Sequence, residues 1–301
     1  QALFLGGYSI LDQPPLLYAG MSLTLLYAIA AGLLKEHEFR NVMFVVGVFH
    51  VGICFYALRN WNLMGGSDPN YRLQALGVRE SVWAEVAVGS FVAGMLSGRF
   101  WLLCLSAAVA VMIILGAQMR GSGLAMISAF SVYAYYSFLK NRPVIRLVVI
   151  SLFAVFLTFF YASSIIDFVS ELFLLNDSNR GINSGFSGRF DNWVDGFLLF
   201  VESPIVGVGL NDPVAAYTHN GYLKIMAQFG IFYSLLMFYV LFSSLLYCYK
   251  EKKYDFFSSC VCYCVFIVSA PRYINMQLMP FVCLAAFSFI YLNKQKISVR
   301  F

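Results

Sequence analysis

About nine apolar runs, most of them near the length that crosses a bilayer, divide this chain and constrain its fold more than any other feature. They lie near 14–34, 41–58, 82–97, 100–118, 122–139, 144–166, 224–248, 256–271 and 275–293. A hydrocarbon core about 30 Å thick takes roughly 20 residues of helix. Inside it every backbone N–H and C=O must find a partner within the protein, which a helix provides within its own segment. Composition points the same way: 60% hydrophobic and 12% charged residues, against about half apolar and a quarter charged in soluble domains. The sequence therefore predicts an all-α, polytopic transmembrane helical bundle. It forms one membrane domain over residues 1–301, with no internal repeat. Residues 2–11 show neither the basic region nor the cleavage site of a signal peptide, so further spans are expected upstream of Gln1.

Charge sets the predicted orientation, because short cytoplasmic loops are rich in Lys and Arg. Lys140, Arg142, Arg146, Lys250, Lys252, Lys253, Lys294, Lys296 and Arg300 fall on one side of an alternating topology, and Lys35, Arg40 and Arg99 join them. The remaining cations are Arg59, Arg72, Arg79, Arg120, Arg180, Arg189, Arg272 and Lys224. This outer set is nearly all arginine, which topology does not require. Arginine is favoured where a planar fork grips a phosphate or carboxylate at two points, so an anionic ligand outside is one reading and contact with lipid headgroups the other.

The cysteines (Cys54, Cys104, Cys248, Cys260, Cys262, Cys264 and Cys283) all sit in apolar runs, which argues against a disulfide framework. At 100° per residue Cys262 points away from Cys260 and Cys264, so these read as small buried side chains rather than metal ligands. His50 and Glu85 fall inside spans, where they need partners or a cavity wall.

One outer loop, 167–222, is far longer than the few residues usual between packed helices. Within it Phe190, Trp193, Val194, Phe197 and Val201 recur at helical spacing beside Asp191, Asn192 and Asp195. This predicts an amphipathic helix that lies on the membrane surface or folds back onto the bundle. Pro204 ends it after Glu202 and Ser203. Arg189 is placed at the start of this helix, where free N–H groups favour anions.

The loop carries Gly188-Arg189 with Trp193 four residues after the Arg, then Ser203-Pro204-Ile205-Val206-Gly207-Val208-Gly209. Thr218-His219-Asn220-Gly221-Tyr222-Leu223 and the downstream Gly230-Ile231 complete it. Taken alone, Gly207-Val208-Gly209 reads as a tight turn. In this order, on one exterior loop between two spans, the pieces resemble the bacterial O-antigen ligase and polymerase superfamily. The likeness is strongest over about 180–240 and reaches more loosely to Met119-Arg120-Gly121, similar to the family's arginine at the outer mouth of an earlier span. The resemblance implies a glycosyltransferase of the bacterial inner membrane with a periplasmic active face. Its donor is an oligosaccharide on undecaprenyl diphosphate, it needs no nucleotide sugar, and a chain-length regulator protein is a further partner. Polymerases extend the lipid-linked chain, as the run at 180–189 favours; ligases hand it to lipid A core. A transporter of lipid-linked sugars is a reading from another class, and no nucleic-acid partner is expected.

The chemistry accords with that resemblance. A sugar leaving a diphosphate builds negative charge on the leaving group, which something cationic must stabilise. The loop's carboxylates are scattered rather than set at metal-ligand spacing, so arginines are expected in place of a metal, with no cofactor. Arg120 and Arg189 are the expected diphosphate holders, with Arg180 and Arg272 as further substrate contacts. His219 is the one histidine on the outer side and the natural base for an acceptor hydroxyl. Its neighbours Asn220 and Tyr222 complete the expected substrate-binding set.

Overall fold

The computed structural model describes residues 33–59, 61–63, 73–75, 80–117, 119–140, 185–209 and 212–269. The runs at 144–166 and 275–293, nearly all of 14–34, the loop over 167–184, Arg180, Arg272 and Cys283 lie outside them. The described residues are almost entirely helical. Helix α1 is Glu36–Arg59, α2 Glu80–Leu96, α3 Phe100–Ala117 and α4 Arg120–Ala134. A π-helical turn, Tyr135–Leu139, continues α4. Then come α5 Gly185–Glu202, α6 Pro213–Tyr217, α7 Gly221–Lys250 and α8 Tyr254–Ser269.

Three of these helices, α1, α3 and α7, are long and apolar enough to cross a membrane, and shorter apolar helices span Trp83–Leu96 and Tyr254–Val268. Thus six of the apolar runs coincide with described helices. The exception to helix is a small ribbon between α1 and α2, Trp61–Leu63 paired antiparallel with Leu73–Ala75 in the register Trp61↔Ala75. Strands of three residues carry too little alternation to be read from sequence.

Helices α1, α2 and α3 pack on one another, α8 on α4 and α2, and α7 on α8. Phe39, Met43, Phe91, Leu96, Ile113 and Phe256 form the fully buried centre of this core. The core also encloses His50 on α1, whose Nδ1 has no hydrogen-bond partner among the described residues, and Glu85 on α2, 3% exposed.

One end of the bundle is fastened by charge. Arg40 Nη1 lies 2.7 Å from Asp255 Oδ2 and Arg40 Nη2 2.9 Å from Glu36 Oε1. Arg40 Nη1 also donates to the Leu96 carbonyl (3.2 Å), and Lys253 Nζ to Glu36 Oε2 (3.0 Å). Lys140 Nζ donates to the Tyr254 hydroxyl (3.1 Å), whose ring stacks on Tyr136, and Arg99 lies over the Phe44 ring. These cations belong to the set assigned to the cytoplasmic side, and they gather at a single end. Helix α4 runs from Arg120 to this end, so Arg120 lies at the opposite end; α7 is broken at Gly230 and its first stretch folds back on the second, which brings the Tyr222 ring to 5.7 Å from that of Phe238.

Candidate functional site

The helix α5 begins at Gly185, one turn earlier than the sequence reading placed it, so Arg189 lies inside its second turn. The free N–H groups of the helix start therefore belong to the residues before Arg189. Its apolar stripe points outward: Phe190, Val194, Phe197, Leu198 and Val201 are each 50–56% exposed. The inward side is the mixed one, made by Arg189, Asn192, Trp193, Gly196, Leu199 and Phe200. It packs on α6 and α7. The outward stripe has a physical reason. The corner that α5 covers, Thr218 to Lys224, is polar, while the surroundings of a membrane protein accept the apolar stripe.

Within that corner, Asp212 caps α6 by accepting from Ala215 N (2.8 Å), and Pro213 follows at a position where no N–H is needed. Asn220 caps α7: its Oδ1 accepts from Tyr222 N (3.0 Å) and Leu223 N (3.3 Å). The Tyr222 hydroxyl donates to the Cys264 carbonyl (3.0 Å), tying α7 to α8. His219 stands between the two caps, half-buried, on the short bend joining α6 to α7. Its imidazole is held below the ordinary value of 6.5, first by burial, then by the positive charges of Arg189 and Lys224. The guanidinium of Arg189 is thus close enough to His219 for its charge to be felt, although 30 residues separate them in sequence. A neutral imidazole beside two cations can accept a proton from a hydroxyl while an anion is held next to it.

Lys224 is a member of this corner that the sequence reading counted only as an outer cation. The signal was present: five residues beyond His219 and just past the Asn220 cap, it falls in the first turn of α7.

Beneath the corner, two of the loop's motifs form one joint. Gly230 has φ 73° and breaks α7. In an unbroken helix Ile231 N would donate to the Ala227 carbonyl. Instead Ile231 N donates to the Pro204 carbonyl (2.8 Å), Val208 N donates to Ala227 (2.8 Å) and Gly209 N donates to the Gln228 carbonyl (3.1 Å). The chain after α5 therefore supplies the bonds that the break removes from α7. Gly207, at φ 72°, lies against the Gln228 backbone so closely that a Cβ would collide with it. Ser203 Oγ donates to the Gly207 carbonyl (3.0 Å) and closes the turn. Gly207-Val208-Gly209 is a turn, as expected, but a turn docked onto the helix break at Gly230.

Arg120 opens α4 on a different element. It stands at the edge of a cleft of about 530 Å³ between α3 and α4, walled by Ala108, Val111, Leu115, Met126 and Phe130 among others. Among the described residues no group of three or more His, Cys, Asp or Glu is placed to hold a metal ion.

A helical membrane protein with an imidazole beside two cations is the class that fold and site define. Residues 104–238 match the family model described as O-antigen ligase. That match spans Arg120, Arg189, His219 and the Gly230 joint, and it places this region in the O-antigen ligase and polymerase superfamily. The match supports membrane glycosyl transfer of the ligase and polymerase type at the level of the family, for which the family implies a lipid-linked oligosaccharide as substrate. No curated protein gives a significant match to the chain.

Proposed function

We propose that the protein polymerises O-antigen or other polysaccharide repeat units from a polyprenyl diphosphate donor at the outer, periplasmic face of the inner membrane. The observation that carries this reading is the approach of Arg189 to His219, within the region that matches the family. In the proposed step the acceptor hydroxyl oxygen attacks the anomeric carbon of the donor sugar. The bond from that carbon to the diphosphate oxygen breaks, and its electron pair leaves with the diphosphate. His219 takes the hydroxyl proton, and Arg189 and Arg120 stabilise the charge on the departing diphosphate, with Arg180 and Arg272 as further contacts. Direct attack inverts the anomeric configuration. The apolar cleft leading from Arg120 suits a long hydrocarbon tail with an anionic head.

The description of the matching family favours a second reading, transfer of the finished glycan to lipid A core. Disrupting the gene tests both. Lipopolysaccharide capped with a single repeat supports the polymerase; bare core with polymer accumulating on the carrier supports the ligase. Transport of labelled lipid-linked sugar across liposomes, without elongation, overturns both.

A further inference from the structure

We infer that Gly196 and Thr218 form a positioning contact that sets the approach of Arg189 to His219; this deepens the reading of that pair as the reactive site and rests on it. Gly196 comes seven residues after Arg189 on α5. At 100° per residue this is two turns less 20°, so the two residues share a face about 10 Å apart along the helix. Thr218 is the chain neighbour of His219. Contact at Gly196 therefore fixes how near the α5 face can come to the histidine.

Gly196 has ordinary helical backbone, so conformation does not call for glycine there. A glycine inside a helix costs about 1 kcal/mol relative to alanine. The gain that offsets this is space. A Cβ at position 196 would stand 2.8 Å from Thr218 Oγ1 and 2.8 Å from its Cγ2, well inside contact distance. Thr218 is fully buried, and its hydroxyl donates to the Val214 carbonyl (3.3 Å), which holds the side chain in place. Relief by outward movement of α5 carries Arg189 with it. Misplacement of a catalytic group by about 1 Å can cost about 100-fold in rate.

The test is the variant Gly196→Ala together with the double variant Gly196→Ala/Thr218→Ala, which removes both atoms that the new Cβ meets. Two measurements are made on full-length protein in membranes. One is repeat-unit elongation. The other is the pH dependence of diethylpyrocarbonate labelling at His219, read by mass spectrometry, which follows imidazole titration whether or not sugar is transferred. Gly196→Ala is expected to lower elongation about 10- to 100-fold and to move the His219 midpoint upward, as Arg189 withdraws; the double variant is expected to restore both. If Gly196→Ala fails to insert, recovery of insertion, elongation and midpoint in the double variant supports the contact. A parent-like Gly196→Ala, or a double variant that restores neither readout, overturns it. If the midpoint shifts and returns while elongation is indifferent to both changes, the contact stands and the reading of the pair as the reactive site falls.

Discussion

Gly230 turns its backbone against the carbonyl of Ile205, at the point where α7 breaks and the chain leaving α5 docks into the break. A Cβ at Gly230 would collide with Ile205, and φ 73° is itself a region that L side chains seldom adopt. Gly230→Ala is therefore expected to destabilise the protein by about 1–3 kcal/mol from backbone strain alone, with the collision added. Gly52, in α1, provides the contrast, because a Cβ there meets nothing within 4 Å. Gly52→Ala should be neutral or stabilising by up to about 1 kcal/mol. Thermal unfolding of the two variants in detergent checks the difference; equal midpoints would remove the joint from the account of how this corner is held.

The electrostatics of His219 give a prediction with a definite sign. Arg189 and Lys224 both lower its proton affinity, after burial. A base must be neutral to work, so the parent enzyme keeps activity down to a pH below the ordinary imidazole range. Arg189→Gln removes one cation, the imidazole holds its proton to higher pH, and the acid limb of the elongation profile moves upward. Lys224→Gln should move it the same way by less. On rate, Arg189→Lys keeps the charge but not the fork. The loss of a preorganised donor to a developing anion costs about 10² to 10³, and much of that loss is expected here. An acid limb that stays in place in Arg189→Gln would separate the histidine from the arginine.

His219→Ala removes the proposed base, which typically contributes about 10² to 10⁴ in rate. Elongation should fall by that order while the protein still inserts and unfolds at a parent-like temperature, because Asn220 and Asp212 supply the caps on either side. Retained elongation in this variant would end the base assignment.

What the sequence disclosed and what it hid divide along physical lines. Apolar runs at 41–58 and 224–248 declared their helices because spanning a membrane needs length and hydropathy, both local properties. The amphipathic helix declared itself through Phe190, Val194, Phe197 and Val201, yet the side that packs inward is the other one. Periodicity reveals that two faces differ, not which of them the protein covers when lipid also welcomes apolar groups. Pairing Arg189 with His219 required tertiary structure, and so did the exchange in which Val208 takes the Ala227 carbonyl while Ile231 turns to Pro204. The glycines of both motifs were visible, but their mutual fit was not, since each looks like an isolated turn until the two backbones meet.

The cleft beside Arg120 supports a prediction about the donor's tail. Ala108 lies on its wall, and Ala108→Trp would fill much of the apolar space without touching Arg189 or His219. If the tail occupies the cleft, the apparent KM for a full-length polyprenyl donor should rise about tenfold, the equivalent of roughly 1.4 kcal/mol. A donor with a prenyl tail too short to enter should be handled as by the parent. Equal effects on long and short donors would assign the change to packing of α3 on α4 instead.

At the far end of the bundle, Asp255 faces Arg40 across 2.7 Å, with side-chain exposures of 15% and 30%. Arg40 also holds Glu36 and the Leu96 carbonyl, so this one guanidinium links α1, α2 and α8. Asp255→Ala leaves it with weaker compensation. Fully buried pairs lose about 3–5 kcal/mol when one partner is removed. Solvent reaches this pair and Glu36 remains, so the expected loss is about 1–2 kcal/mol. Elongation in membranes should stay within about twofold of the parent, since Asp255 and Arg40 are not part of the reactive corner and a 1–2 kcal/mol loss leaves most molecules folded. The discriminating result is a parent-like unfolding temperature combined with shortened glycan chains: it would mean that the charged end communicates with the site.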